Sequence, residues 1–277
     1  MKTLYLADLD GTLIRSNEQI SIYTANTINK FIGDGGCFSY ATGRSFVTAS
    51  KVTYGLRMEF PSVCYNGAFI VGSKSKENLL ANYFSLNDAE DVRHLLTEYK
   101  LSPIVYAYIN GTERFSFIDC SGGFGMRFFL NSRLGDARRR EVLREEDLYH
   151  GDIFCFTCIS DEKSLTPIHN IFKSDKRVHC VYQKDVYSGA QFFELLPEKA
   201  TKANAALQLK AMLGCDKIVA FGDSYNDISL FSAADESYAV ANAVPELKTI
   251  ATGVIASNDN DGVARWIEEN LYGSNTR

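Results

Sequence analysis

LYLADLDGTL, residues Leu4 to Leu13, is the stretch whose reading decides the fold. Leu4 to Ala7 is a run of apolar and aromatic residues short enough to be a buried strand. It stops at Asp8, and a second carboxylate, Asp10, follows two positions on. Gly11 and Thr12 then turn the chain, as glycine does where a backbone bends sharply or approaches a ligand. Two acids at the carboxyl end of a buried strand are costly unless something positive sits with them. A divalent metal with a phosphoryl group would answer that need; the two acids equally fit an ordinary turn, and the rest of the chain decides between the readings.

Working outward, Ser16 to Phe31 has apolar residues at helical spacing and runs into Gly33-Asp34-Gly35-Gly36, a glycine stop. Cys37 to Ala41 reads as a second strand ended by Thr42-Gly43-Arg44, with a helix from Ser45 to about Tyr54. Val63 to Val71 reads as a hairpin around Asn66-Gly67, a dipeptide suited to a tight I′ turn. Strand, helix, strand, helix predicts a parallel sheet with crossover helices.

The texture changes near Ala81. Strand 81–86, helix 88–100, strands 103–109 and 113–119, a Gly-rich aromatic segment 121–130 and a charged helix 136–147 are expected in turn. Strand 153–159, helix 161–173 and strands 178–183 and 190–196 follow. Paired strands with helices between them predict a mostly antiparallel sheet with helices on one face. From Thr201 the first texture returns: helix 201–213, strand Lys217 to Phe221, then Gly222-Asp223-Ser224-Tyr225-Asn226-Asp227 and a helix 227–234. The expected class is α/β, a Rossmann-like parallel-sheet core made of residues 1–82 and 189–277, interrupted by an inserted α+β cap, 83–188.

Composition excludes several classes. The 277 residues carry a net charge of −5, with no global basic signature for nucleic acid or an anionic membrane. No apolar run reaches the roughly 20 residues of a membrane-spanning helix. Seven cysteines without framework spacing, and no signal-peptide profile, predict a reduced cytoplasmic chain.

Three strand ends share a pattern: Asp8-x-Asp10, Thr42-Gly43, and Gly222-Asp223 with Asn226-Asp227. In a parallel sheet the carboxyl ends of strands form one edge, where ligands bind. The chemistry that would use this set is phosphoryl transfer to a carboxylate. Asp8 would attack phosphorus, and Asp10 would protonate the leaving oxygen and later deprotonate water. Asp8 and Asp223 would hold Mg²⁺, a hard cation that suits carboxylates, water and phosphate oxygens. The Thr42 hydroxyl and Gly43 amide would take phosphoryl oxygens, and Lys202 would complete the cradle with a point charge.

On these motifs the chain resembles the haloacid-dehalogenase-like (HAD) hydrolases: DLDGTL at 8–13, the strand-end Thr42, Lys202 and GDSYND at 222–227. It is most similar to the Cof-type subfamily, through ATGR at 41–44, NGA at 66–68, FFELLPEKATK at 192–202, NAVPELK at 242–248 and SNDNDGVA at 257–264. The resemblance implies a phosphatase for a small phosphorylated metabolite, a sugar phosphate or similar. That metabolite is the expected partner, with the chain a monomer or small homo-oligomer. It implies Asp8 as nucleophile, Asp10 as acid/base, and Mg²⁺ on Asp8, the Asp10 carbonyl and Asp223. It also implies phosphate binding by Thr42, Gly43, Lys202 and Asn226, with Asp227 supporting the metal. Ala203 departs from the glycine usual after the lysine. A phosphomutase using the same carboxylates, and a non-enzymatic metabolite-binding protein, remain as alternatives.

Other signals carry less. Cys155-Phe-Thr-Cys158 fits a zinc or redox spacing but lies in an expected strand, where residues three apart face opposite ways. Arg138, Arg139, Arg140 and Arg144 are interleaved with acids and read as a solvated helix face. The segment Gly122 to Phe129 reads as a cap turn packed by its own aromatics or as an apolar cap surface, with Arg127 facing an anionic substrate. Arg44, directly after the phosphate-binding turn, is the better placed contact for substrate or cap.

Overall fold

The computed structural model describes residues 1–118, 123–185 and 188–273, which form two compact units. The first consists of Met1–Ala81 and Ala200–Arg277, the second of Asn82–Lys199.

The first unit is built on a five-stranded parallel sheet. In spatial order its strands are Gly253–Ile255, Glu236–Val240, Lys217–Gly222, Thr3–Ala7 and Cys37–Tyr40. Thr3–Ala7 is an interior strand, paired on both sides, and its residues are apolar on both faces. Leu4 and Leu6 are fully buried against Ala205, Ala206 and Leu209 of the helix Lys202–Met212. Between them Tyr5 points the other way, onto Phe31 and Trp266. Each such leucine contributes about 2 kcal/mol by leaving water. The register pairs Ala7 with both Phe221 and Tyr40, so the three strands end level.

A second, three-stranded antiparallel sheet joins Ser62–Cys64, Phe69–Val71 and Asn78–Ala81. Its first connection is not the two-residue I′ turn expected: Tyr65, Asn66 and Gly67 all take positive φ, at 49°, 52° and 104°. The cause is tertiary. The amides of Tyr65 and Asn66 donate to the carbonyls of Arg44 and Thr42, at 3.0 and 2.9 Å. A Cβ on Gly67 would lie 2.2 Å from the Thr201 carbonyl oxygen, which only glycine tolerates at that φ.

The second unit is a six-stranded sheet in the order Val178–Lys184, Gln191–Pro197, Asp152–Ser160, Ile104–Ile109, Thr112–Ile118, Arg139–Val142. All neighbours are antiparallel except the last pair. Helices Leu86–Glu98 and Glu162–Phe172 cover one face, packing Val92, Leu96, Leu165 and Ile168 on Phe156, Cys158 and Phe193. A third helix, Phe124–Asn131, meets the other face through Phe129 on Phe192 and Gly125 beside Ile159.

Four expectations are corrected here. Residues 81–86 do not form a strand; the strand is Asn78–Ala81, and the helix after it begins at Leu86. Residues 136–147 do not form one helix: they hold the strand Arg139–Val142 and run into the short 3-10 helix Glu145–Tyr149. Arg138 is buried between Asp136 and Glu113, and Arg139 lies over the Phe117 ring at 4.4 Å, so cross-strand partners override local helix preference. The Gly-rich segment is the helix Phe124–Asn131, while Gly122 and the ends of the expected spans 113–119 and 121–130 lie outside the described residues. The boundary expected at 189 falls after Lys199, because Gln191–Pro197 pairs on both sides within the second sheet.

That strand carries a buried acid with a consequence for stability. Glu194 accepts from the Thr157 hydroxyl at 3.4 Å. Burial pushes its pKa up to about 7, against the opposing pull of Thr157 and Arg133. The folded state therefore keeps a proton that the unfolded chain has released, and stability falls as pH rises from the ordinary carboxyl range to about 7. Glu194→Gln is expected to remove this slope and to be more stable than the parent at pH 8, by on the order of 3 kcal/mol. Urea midpoints at pH 5 and pH 8 check it; parallel curves for the two proteins would refute it.

Cys155 and Cys158 face opposite sides of their strand, and burial pushes both thiols well up, Cys158 to about 12. Neither is poised for metal or redox chemistry. Among the described residues no helix is long and apolar enough to cross a membrane.

Candidate active site

The level strand ends bring Asp8, Thr42 and Asp223 to one edge of the parallel sheet. The Asp8 amide donates to the Phe221 carbonyl at 2.9 Å, and the Ala41 amide to the Ala7 carbonyl at the same distance. Gly11, at φ +75°, lets the turn after Asp8 close against Asp223; a Cβ there would sit 2.4 Å from Asp223 Oδ2. Thr12 then donates its hydroxyl to Asp223 Oδ1 at 2.9 Å.

Asp8, Asp223 and Asp227 are buried, and each offers an oxygen within 4.8 Å of the others. Lys202 lies among them, 1% exposed, donating to Asp8 Oδ1 at 2.6 Å and Asp227 Oδ1 at 2.7 Å. It is the first residue of the helix Lys202–Met212, capped by the Thr201 hydroxyl, which accepts from the Asn204 amide. A lysine there opposes the helix dipole, so its placement is decided by the two carboxylates. Burial works against the ammonium, but Asp227 and Asp8 outweigh it and hold its pKa above the ordinary lysine value. Burial pushes Asp8 up to about 7, Lys202 pulling it down while Asp227 and Asp10 add to the rise. Asp223 is raised well above the usual carboxylate range by burial and then by Asp8 and Asp227. One ammonium does not compensate three carboxylates.

Asp227 is fixed by the single turn Tyr225–Asp227. Its Oδ2 accepts the amides of Asp223 at 3.0 Å and Ser224 at 3.1 Å, closing a capping box with Ser224.

Thr42 is fully buried, and its hydroxyl accepts from the Arg44 amide at 3.1 Å. Gly43 lies against Asn66, whose amide would be 3.3 Å from a Cβ at that position. Asn226 donates its Nδ2 to Asn66 Oδ1 at 3.0 Å, while its own Oδ1 is buried without a hydrogen-bond partner. Arg44 forks onto Asp10, Nε to Oδ2 at 2.7 Å and Nη2 to Oδ1 at 2.5 Å. Arg127 lies exposed on the helix Phe124–Asn131 of the second unit.

Several positioning residues escape motif reading. Asn66 was visible only as part of NGA. Asn242 donates to the Gly11 carbonyl at 2.7 Å and accepts the Asn258 amide, while the Asn258 side chain donates to the Ile14 carbonyl. Asp261, left-handed at φ 57°, accepts from Arg15, Ser21 and Thr24. These contacts give NAVPELK and SNDNDGVA a physical role: they brace the loop that follows the paired acids.

Residues 5–267 match the family described as haloacid dehalogenase-like hydrolase. The 5-amino-6-(5-phospho-D-ribitylamino)uracil phosphatase YitU of Bacillus subtilis is 25% identical over 96% of both chains. A haloacid dehalogenase-like hydrolase from Bacteroides thetaiotaomicron superposes with a TM-score of 0.78 at 24% identity, over 97% of this chain and 99% of that one. A sugar phosphatase of HAD subclass IIB gives 0.74 at 17% identity, over 97% and 98%. A sheet edge set with acids and a likeness that runs almost end to end have one explanation: this chain is an enzyme of the haloacid dehalogenase-like hydrolase family.

Proposed function

We propose that the protein is a Mg²⁺-dependent phosphatase acting on a small phosphorylated metabolite through a phosphoryl group carried on Asp8. The observation that carries this reading is a charge count. Asp8, Asp223 and Asp227, ionised, bring three negative charges into a buried site, and Lys202 returns one. Two remain, which is the demand of one divalent cation, and an all-oxygen donor set suits Mg²⁺. Asp8, Asp223 and the Asp10 carbonyl would hold it, with Asp227 in support. When bound, it offsets charge on the transferring phosphoryl group and lets two anions approach.

The chain's own residues do the rest. Lys202 fixes the Asp8 carboxylate, which attacks phosphorus while Asp10 gives a proton to the departing oxygen. Water then attacks the phosphoryl group, Asp10 takes its proton, and inorganic phosphate leaves with Asp8 restored. Thr42 and Gly43 take phosphoryl oxygens. Asn226 serves them through Asn66, to which its Nδ2 is given. The second unit is the cap that selects the leaving group, with Arg127 as its candidate contact. YitU is named for a phosphoribitylamino substrate and the subclass IIB neighbour is a sugar phosphatase, so a polyhydroxylated phosphate ester is the substrate class. The setting is the cytoplasm, as a monomer or small homo-oligomer.

A panel of sugar, polyol and cofactor phosphates, assayed for released phosphate, tests the reading. Turnover should require Mg²⁺, vanish in excess chelator and return when Mg²⁺ is restored. No Mg²⁺-dependent release from any panel member would sink it. Isomer in place of free phosphate from a hexose 1-phosphate would make it a mutase instead.

A further inference from the structure

Four carboxylates crowd the end of the first strand, but they do not share one fate. Asp8, Asp223 and Asp227 converge within 4.8 Å. Asp10 stands outside that set, although it is near enough to Asp8 to raise its pKa. Arg44 grips it, its Nη2 and Nε engaging both Asp10 oxygens at 2.5 and 2.7 Å. The Arg44 backbone is anchored in turn: its amide donates to the Thr42 hydroxyl, and its carbonyl accepts from the Tyr65 amide at 3.0 Å. The turn that offers Thr42 and Gly43 therefore also carries the fork.

We propose that Arg44 is the positioning residue for Asp10: it keeps this carboxylate out of the metal-binding set so that it carries protons instead. The proposal rests on the function proposed above. A planar fork fixes a carboxylate in rotation as well as distance, which a lysine ammonium cannot do. Each carboxylate oxygen has two lone pairs, so a fork that uses one on each oxygen is compatible with protonation at the other. The Asp10 side chain keeps 27% exposure, enough to swing. Released, it is drawn to the strongest positive centre nearby and becomes a further metal ligand. A carboxylate spent on metal no longer protonates a leaving oxygen.

The test compares Arg44→Gln and Arg44→Lys with the parent on two esters. Para-nitrophenyl phosphate expels a stable anion and needs little protonation; a sugar phosphate expels an alkoxide and needs it fully. Both variants are expected to lose about 100-fold more kcat/KM on the sugar phosphate than on the aryl ester. Adding either change to Asp10→Asn should cost the sugar phosphate nothing more. Calorimetry with Mg²⁺ alone should show Arg44→Gln binding roughly tenfold tighter than the parent, since ligand charge sets affinity. The double variant should return to the parent value.

Equal losses on both esters, restored by lysine, would overturn the proposal and make Arg44 a charge for the phosphoryl group. Unchanged Mg²⁺ affinity in Arg44→Gln would overturn it as well. If the parent shows no Mg²⁺-dependent turnover, the proposed function fails, and the calorimetric comparison still decides what Arg44 does to Asp10. Melting curves confirm that each variant is folded.

Discussion

Lys202→Met is expected to destabilise the protein by about 3–5 kcal/mol, the cost of stripping a buried charge network of one partner. The ammonium is 1% exposed and donates to Asp8 and Asp227, both buried. Methionine nearly matches the lysine stem in volume, so packing is kept and the charge alone is removed. Two carboxylates then face each other and Asp223 without a counter-ion, in a site where burial already pushes Asp8 up to about 7. Lys210→Met serves as the control. Its ammonium meets Asp235 at 3.9 Å on the surface, and its loss should cost well under about 1 kcal/mol. Denaturant midpoints of the two variants, read at neutral pH without added metal, check the contrast. Similar small shifts in both would mean that the buried pairs contribute no more than surface ones.

Asp8→Asn is expected to lower turnover by at least about 10⁴-fold while leaving the fold intact, because the amide keeps the shape but cannot form the bond to phosphorus. Asparagine also removes one of the mutually repelling acids, so the variant should melt no lower than the parent. Substrate labelled in the phosphoryl group distinguishes a lost nucleophile from lost binding. Acid-quenched parent enzyme should retain label covalently, and the variant should retain none. Residual turnover within about tenfold of the parent would remove Asp8 from the role of nucleophile.

How much of this was legible in the sequence depended on how local the cause was. The paired acids, Thr42, Lys202 and Asp223 were readable because each stands immediately after a strand or at a helix start. A parallel register then brings strand ends together without further information. Asn66 was harder. Its role depends on a turn that holds three successive residues at positive φ, which the backbone of Thr42 and Arg44 imposes. The stretch 136–147 misled because alternating arginines and glutamates suit a helix surface, and nothing local announces that Arg138 is buried on Glu113 from another strand. The same holds for the boundary at 189: FFELLP alternates as any strand would, and only its pairing with Asp152–Ser160 and Val178–Lys184 assigns it to the second sheet. The bracing of Gly11 by Asn242 spans 231 residues, a distance over which no pattern is visible.

The split of the first unit between the two ends of the chain has a consequence for how the protein is born. Synthesis delivers Asp8 early, but the lysine that pairs with it comes 194 residues later. The interior strand Thr3–Ala7 likewise waits for Lys217–Gly222 to complete one of its two edges. The second unit is continuous, from Asn82 to Lys199, so all of its strands have been synthesised before Lys202 is made. Domains fold as units during synthesis, and here the inserted unit is the first whose sequence is complete. Until Lys217–Gly222 arrives, the opening strand is an apolar segment with an unpaired edge, open to any chaperone that reads such edges.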